Sequence, residues 1–230
     1  MLRKGEMRRG FTLIEMLIVI GIIVTLMAAS IGGYSYATKQ AQKARGRELV
    51  SNVSTALNAL FQRQSYWPPR LLQEAKGQHQ LTADAAVCLK SENLMALSAT
   101  ETRDAQGNRV YKLSGLDRCG IVDPWATDVL RRLPEGNSGL SEIVPSGGTV
   151  KDHILYFGLD EDGDGYTDAT VGGVKIRVRA NAIVWSAGMD GVEAPYPYAG
   201  GGHTGKGGQT RDSSRQGDDI YSWLPNQVVK

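Results

Sequence analysis

Arg8-Arg9-Gly10-Phe11-Thr12-Leu13-Ile14-Glu15 is the stretch on which the reading of this chain turns. A basic segment ends at a glycine, and a phenylalanine then opens an apolar run in which Glu15 is the one charge before Lys39. A carboxylate inside a membrane-length segment is unfavourable by about 2.5–3.5 kcal/mol near the middle of a helix, so such a residue points to a function and needs a partner. Phe11 to Gly33 covers 23 residues. As a helix rising about 1.5 Å per residue it would extend about 35 Å, enough to cross a bilayer. Ahead of it, Arg3, Lys4, Arg8 and Arg9 stand against Glu6, a local charge of +3. The positive-inside rule holds such a leader in the cytoplasm and sends the C-terminal part across. An ordinary secretory signal would be removed together with its apolar region. Here the run is too long for such a region, and an acid near its start is out of character.

The basic leader, the Gly10-Phe11 junction, the glutamate at the fifth position after it and the helix that follows resemble the N-terminus of type IV pilins and pseudopilins, from Arg8 to about Ile23. The resemblance implies that a prepilin peptidase cuts between Gly10 and Phe11 and methylates the new amino terminus at Phe11. It implies that the helix stays with the mature protein as its inner-membrane anchor. It also implies assembly, in which Glu15 of one subunit meets the Phe11 ammonium of another within a helical filament. In a low-dielectric core either charge alone is unfavourable, and together they compensate. The alternative is that Glu15, close to one end of the span, reaches back to the headgroups.

Length and charge agree with this frame. Removing residues 1–10 leaves 220 residues with 22 basic and 23 acidic side chains, so the +2 of the full chain belongs to the leader. It is no sign of a nucleic-acid partner. About 160 residues follow the helix, room for one globular domain with its own core. From Tyr34 to Tyr66 there is no proline, and Leu49/Val50, Val53, Ala56/Leu57 and Leu60/Phe61 recur at helical spacing. Trp67-Pro68-Pro69 ends the helix, because neither proline can donate a backbone bond. The organisation expected is a leader at 1–10, a transmembrane half-helix at 11–33, an amphipathic half at 34–66, and a periplasmic domain at 67–230. Gly32-Gly33 and Gly46 are weak points in the long helix, and Gly32-Gly33 serves either close packing or local melting during assembly.

The middle of the chain says less. Leu71-Leu72, Ala85–Leu89 and Leu94–Leu97 suggest short helices, and Arg109–Leu113 reads as a strand. Cys88 and Cys119 are the only cysteines. In an oxidising envelope compartment they are expected to pair, closing a loop of about 30 residues for about 3–4 kcal/mol; otherwise they are two buried thiols. Without nearby histidines they make no zinc site.

Three further segments narrow the resemblance to the major pseudopilins of type II secretion systems. They are Asp123-Pro124-Trp125, Ser186-Ala187-Gly188-Met189-Asp190-Gly191 and Asp218-Asp219-Ile220-Tyr221-Ser222-Trp223. The resemblance implies that the last two clasp one calcium ion through Asp190, Asp218, Asp219 and a carbonyl at Ala187. Calcium takes six to eight oxygen ligands, and carboxylates with loop carbonyls supply them. The chain departs from that pattern at Ala199–Gly217, an insertion with seven glycines that reads as flexible. The bland alternative is that these aspartates cap turns.

A second acidic cluster runs from Asp160 to Asp168. Read as a calcium-binding helix–loop–helix, it offers Asp160, Asp162, Asp164 and Asp168 at positions 1, 3, 5 and 9 and Gly165 at position 6. Val171 stands where a bidentate glutamate belongs, and the flanks alternate as strands. The expectation is an acidic β-hairpin turn, either a calcium site or a solvated surface. Strands near 154–158, 174–179 and 182–186 complete an α+β fold, with a small antiparallel sheet packed on the amphipathic half of the helix.

Catalytic patterns are missing: His79, His153 and His203 stand alone, and neither a nucleophile elbow nor a phosphate loop is present. The function expected is a non-enzymatic subunit of a type II secretion pseudopilus. Its partners would be its own copies, prepilin peptidase, an inner-membrane assembly platform and minor pseudopilins. The alternatives are a type IV pilin or minor pilin, a membrane-tethered calcium-dependent binding module, and a secreted enzyme behind a signal peptide.

Overall fold

The structure, a computed structural model, describes residues 12–77, 79–193, 219–223 and 228–229, and of residues 29–32 and 229 the backbone alone. It is an α+β arrangement in which a long N-terminal helix precedes small antiparallel sheets. Two compact units divide the chain, Met1–Ala41 and Gln42–Lys230.

Helix α1 runs over Leu13–Gln64, 52 residues without a proline. Its end is built from Ser65, which takes the left-handed conformation (φ 59) while its amide donates to Phe61 O at 2.7 Å. That geometry satisfies a last-turn carbonyl and turns the chain away. Trp67 then stacks on Phe61 at 4.8 Å. The prolines expected to stop α1 instead start the next helix: α2 covers Pro69–Lys76, with proline in the first turn where its missing amide is no loss. Helix α3 is Ala83–Ser91, and helix α4 is Pro124–Arg132. Residues 94–97, expected to be helical, are irregular. Asn93 adopts φ 55 just past α3 and redirects the chain before a second helix can start.

Strands β1 (Ala99–Arg103) and β2 (Arg109–Leu113) form a two-stranded hairpin. β3 (Tyr156–Leu159), β6 (Ala182–Ser186) and β7 (Ile220–Tyr221) form one three-stranded sheet. β4 (Thr167–Val171), β5 (Val174–Val178) and β8 (Val228–Val229) form another. All pairings are antiparallel, with Phe157 opposite Val184, Thr167 opposite Val178 and Ser186 opposite Ile220.

The stripe read from the sequence is the stripe that packs. Val50, Val53, Ala56, Leu57 and Leu60 are buried, and Leu49 and Phe61 flank them. Burying a side chain of the Val or Leu type is worth about 1.5–3 kcal/mol, so this face alone holds the C-terminal part of α1 in the domain. Trp125, Leu130, Leu155, Phe157, Val184 and Ile220 share that core. A second core joins Val171, Val178, Ile183, Trp185 and Trp223. β6 lies between the two, which is why Ala182-Ile183-Val184-Trp185 is continuously apolar and not alternating. Gly46, read as a weak point, is a close approach: a Cβ there would lie 2.7 Å from Ile220 Cδ1.

Candidate functional site

Gly10 and Phe11, the expected processing site, lie outside the described residues, as do Asp218 and the insertion at 199–217. Glu15 is described, and its partner is local. The amide and hydroxyl of Thr12 both donate to Glu15 Oε2 at 2.8 Å, and the Glu15 amide donates to Thr12 Oγ1 at 3.3 Å. Thr12 and Glu15 form a capping box, which satisfies free amides of the first turn. The Thr-x-x-Glu spacing that announces it stands in the sequence at 12–15 and went unread. Downstream, Leu13 to Met27 present exposed apolar side chains on a helix long and apolar enough to cross a membrane.

In the folded unit, the segments that begin at Asp123 and Ser186 meet at a buried polar cluster. Asp123, His153 and Ser186 are 0%, 1% and 1% exposed. Asp123 sits just ahead of α4 because Pro124 fixes the first helical φ; its Oδ1 accepts from the amides of Trp125 (3.2 Å) and Ala126 (3.3 Å). His153 ends a short 3-10 turn, Val150–His153, and its Nδ1 donates to Asp123 Oδ2 at 3.0 Å. Its Nε2 faces Gly147 O at 2.8 Å. Ser186, the last residue of β6, donates from Oγ to Asp123 Oδ2 at 3.0 Å and accepts from the Gly188 amide at 3.1 Å.

These are the residue types of a hydrolytic triad in the wrong order. The serine bonds the aspartate, the histidine nitrogen that would take its proton is occupied by a carbonyl, and all three are sealed from solvent. What these contacts do is satisfy buried polar groups. Both acceptors of His153 lack a proton of their own, so the ring satisfies both only as the imidazolium. Burial alone would lower its pKa, but the hydrogen bond and charge of Asp123 and the Gly147 carbonyl outweigh it and hold it above the ordinary histidine value. Burial pushes the Asp123 carboxyl up, while the bonds from His153, Ser186 and Ala126 pull it down.

The cluster abuts the expected calcium loop. Ser186 pairs with Ile220, so Ala187 and Asp219, the next residues on either strand, leave the sheet side by side. Asp190 follows the Gly188 turn (φ 71), and its Oδ1 accepts from the Val192 amide at 3.0 Å. Asp219 Oδ2 accepts from the Tyr221 hydroxyl at 3.0 Å. The acids of this loop are thus half committed to turn geometry. Carboxylates and main-chain carbonyls are the oxygens a hard cation takes.

The acidic segment at 160–168 differs from its expected form. It is no hairpin turn, because β3 pairs with β6 and β4 with β5, so the segment carries the chain from one sheet to the other. Asp160, Asp162 and Asp164 place one oxygen each within 4.8 Å of one another, and this cluster could hold a metal ion. Asp160 is buried, with its oxygens taken by the amides of Gly163 (2.7 Å) and Gly165 (2.8 Å). Asp164 is bonded to the Arg177 guanidinium, which also lies 4.9 Å over the Tyr166 ring. Asp168 stands apart on β4, opposite Arg177 in register, with 3.8 Å between carboxylate and guanidinium.

The disulfide expected between Cys88 and Cys119 is not formed; both are free thiols. Thr82 bridges to Gly120, next to Cys119, whereas Cys88 lies six residues further along α3 with its Sγ turned to Asp84 O at 3.7 Å. Burial pushes both thiols up, so they rest protonated.

Residues 7–31 match the prokaryotic N-terminal methylation motif, the signal of type IV pilin-like prepilins. No curated protein and no solved structure matches the chain. The motif implies processing by a prepilin peptidase and assembly into a filament.

Proposed function

We propose that this chain is a structural subunit of a type II secretion pseudopilus. It is cut between Gly10 and Phe11, methylated at Phe11, held in the inner membrane by the first half of α1 and assembled helix to helix with its periplasmic domain outward. The observation that carries the reading is the methylation motif over residues 7–31 lying on a helix of membrane length with Glu15 in its first turn. Its partners are its own copies, an inner-membrane assembly platform and minor pseudopilins. One calcium ion is held by Asp190, Asp218, Asp219 and the Ala187 carbonyl. The register that sets Ser186 opposite Ile220 supports this site, because it brings the start of the 187–191 loop and Asp219 to one end of the same strand pair. Calcium there would tie the end of β6 to the start of β7 across the insertion.

The test is thermal unfolding of the full chain in detergent micelles, with calcium and with chelator, beside Asp190→Ala and Asp162→Ala. Calcium at a hundredfold excess over its dissociation constant stabilises by about 2.7 kcal/mol, so the midpoint should rise by several degrees in the parent and not in Asp190→Ala. A rise lost only in Asp162→Ala moves the ion to the acidic segment and removes the main support for the type II assignment. Finding Phe11 as the mature N-terminus checks the processing step.

A further inference from the structure

The loop from Ala187 to Gly191 is gripped at three points by groups that do not themselves face a cation. Ser186 Oγ accepts from the Gly188 amide at 3.1 Å. Gly147 (φ 146) lies flat on Asp190, where an added Cβ would come 2.8 Å from the Asp190 carbonyl oxygen. Gly191 (φ 65) lies against the imidazole, where an added Cβ would come 3.0 Å from His153 Nε2. The first grip is set by Asp123 through Ser186, and the second by His153 through the Gly147 carbonyl. Asp123 and His153 are bonded to each other and, through the first turn of α4, to the main core.

We infer that Asp123, His153 and Ser186 are positioning residues: a buried strut that holds the 187–191 loop in its cation-binding shape and thereby sets its affinity for a hard divalent cation. The inference rests on the calcium reading above. Its physical basis is preorganisation. A loop of carbonyls and carboxylates binds a cation tightly when its oxygens are already placed, and loses affinity when binding must also order them. Residues that orient metal ligands without touching the metal are worth about ten- to a hundredfold in affinity. A strut rooted in a helix N-terminus and a sheet end is stiffer than the turn it supports, so the loop inherits its order from the core.

The experiment is calorimetric titration of the full chain in detergent micelles with calcium chloride, below the unfolding range of every variant. The variants are Ser186→Ala, His153→Gln, Asp190→Ala and Asp162→Ala, and the calcium-free unfolding midpoint is recorded for each. Ser186→Ala and His153→Gln should weaken calcium binding about tenfold or more, with Asp162→Ala at the parent value and Asp190→Ala without binding. The decisive readout is the split between affinity and calcium-free stability. A strut that only holds the fold would lower the midpoint and leave the dissociation constant unchanged, and that result overturns the inference while sparing the site. Parent-like binding in Asp190→Ala, or no binding in the parent, overturns the site itself and the strut with it. Should His153→Gln fail to fold, Ser186→Ala, which removes one hydroxyl from a strand end, decides the matter.

Discussion

His153 faces two acceptors, a carboxylate and a carbonyl, and a neutral imidazole has one proton to offer them. The folded state therefore keeps a proton that the unfolded chain releases above the ordinary histidine value of 6.5. A raised pKa gives stability that is complete below that value and is lost as pH rises through the folded one. Asp123 is raised by burial as well, and its own proton-linked contribution starts to be lost as pH rises past the ordinary aspartate value of 3.8. Asp152 adds its charge to the pair on the same side. In chelator, the stability of the full chain should fall as pH rises above about 6.5, with a slope no steeper than about 1.4 kcal/mol per pH unit for one proton. His153→Gln should flatten that slope, and denaturant midpoints across the range would read it. None of this was legible beforehand. His153 looked isolated because its carboxylate partner is 30 positions away, and Ser186 meets that carboxylate across 63 positions. The motifs containing Asp123 and Ser186 were each visible in sequence; their contact is a product of the fold.

α1 is the element the sequence described best, because its two halves announce themselves by different patterns. An unbroken apolar run marks the first half, and the three-and-four spacing of Val50, Val53, Leu57 and Leu60 marks the second. Its junctions were harder to see, since they depend on single hydrogen bonds. Glu15 has two roles that a substitution can separate. A capping box accepts glutamine at the third position as well as glutamate, while charge pairing with a neighbour's ammonium does not. Glu15→Gln should therefore keep helix content and membrane insertion yet lose filament assembly, whereas Glu15→Ala should lose assembly and also about 1 kcal/mol of helix capping. Circular dichroism in micelles and sedimentation of assembled filaments would read the two separately. Normal filaments from Glu15→Gln would leave capping as the whole role of this acid. The helix misread at 94–97 and the turn misread at 160–168 have another origin. Local pattern identifies an element, but the choice of strand partner is made across the chain, here by β6 drawing β3 away from β4.

At the scale of the molecule, the two cores meet across β6, and each three-stranded sheet takes its third strand from residues 220–229. β7 and β8 contribute two residues each, Ile220–Tyr221 and Val228–Val229, yet they cover the open edges of β6 and β5. Uncovered strand edges are templates for pairing with other chains. A chain cut after Glu193 should keep α1 and the early helices but expose both edges, and in detergent micelles it should aggregate at concentrations where the full chain stays dispersed. Light scattering of the two side by side checks this. The same layout sets an order of events during biogenesis. A ribosome delivers β3 to β6 long before β7 and β8, so the domain waits, unsealed on two sides, while the intervening residues are still being made. Quality control has an exposed signal to read throughout that interval, and the signal vanishes only when residues 220–229 arrive and dock.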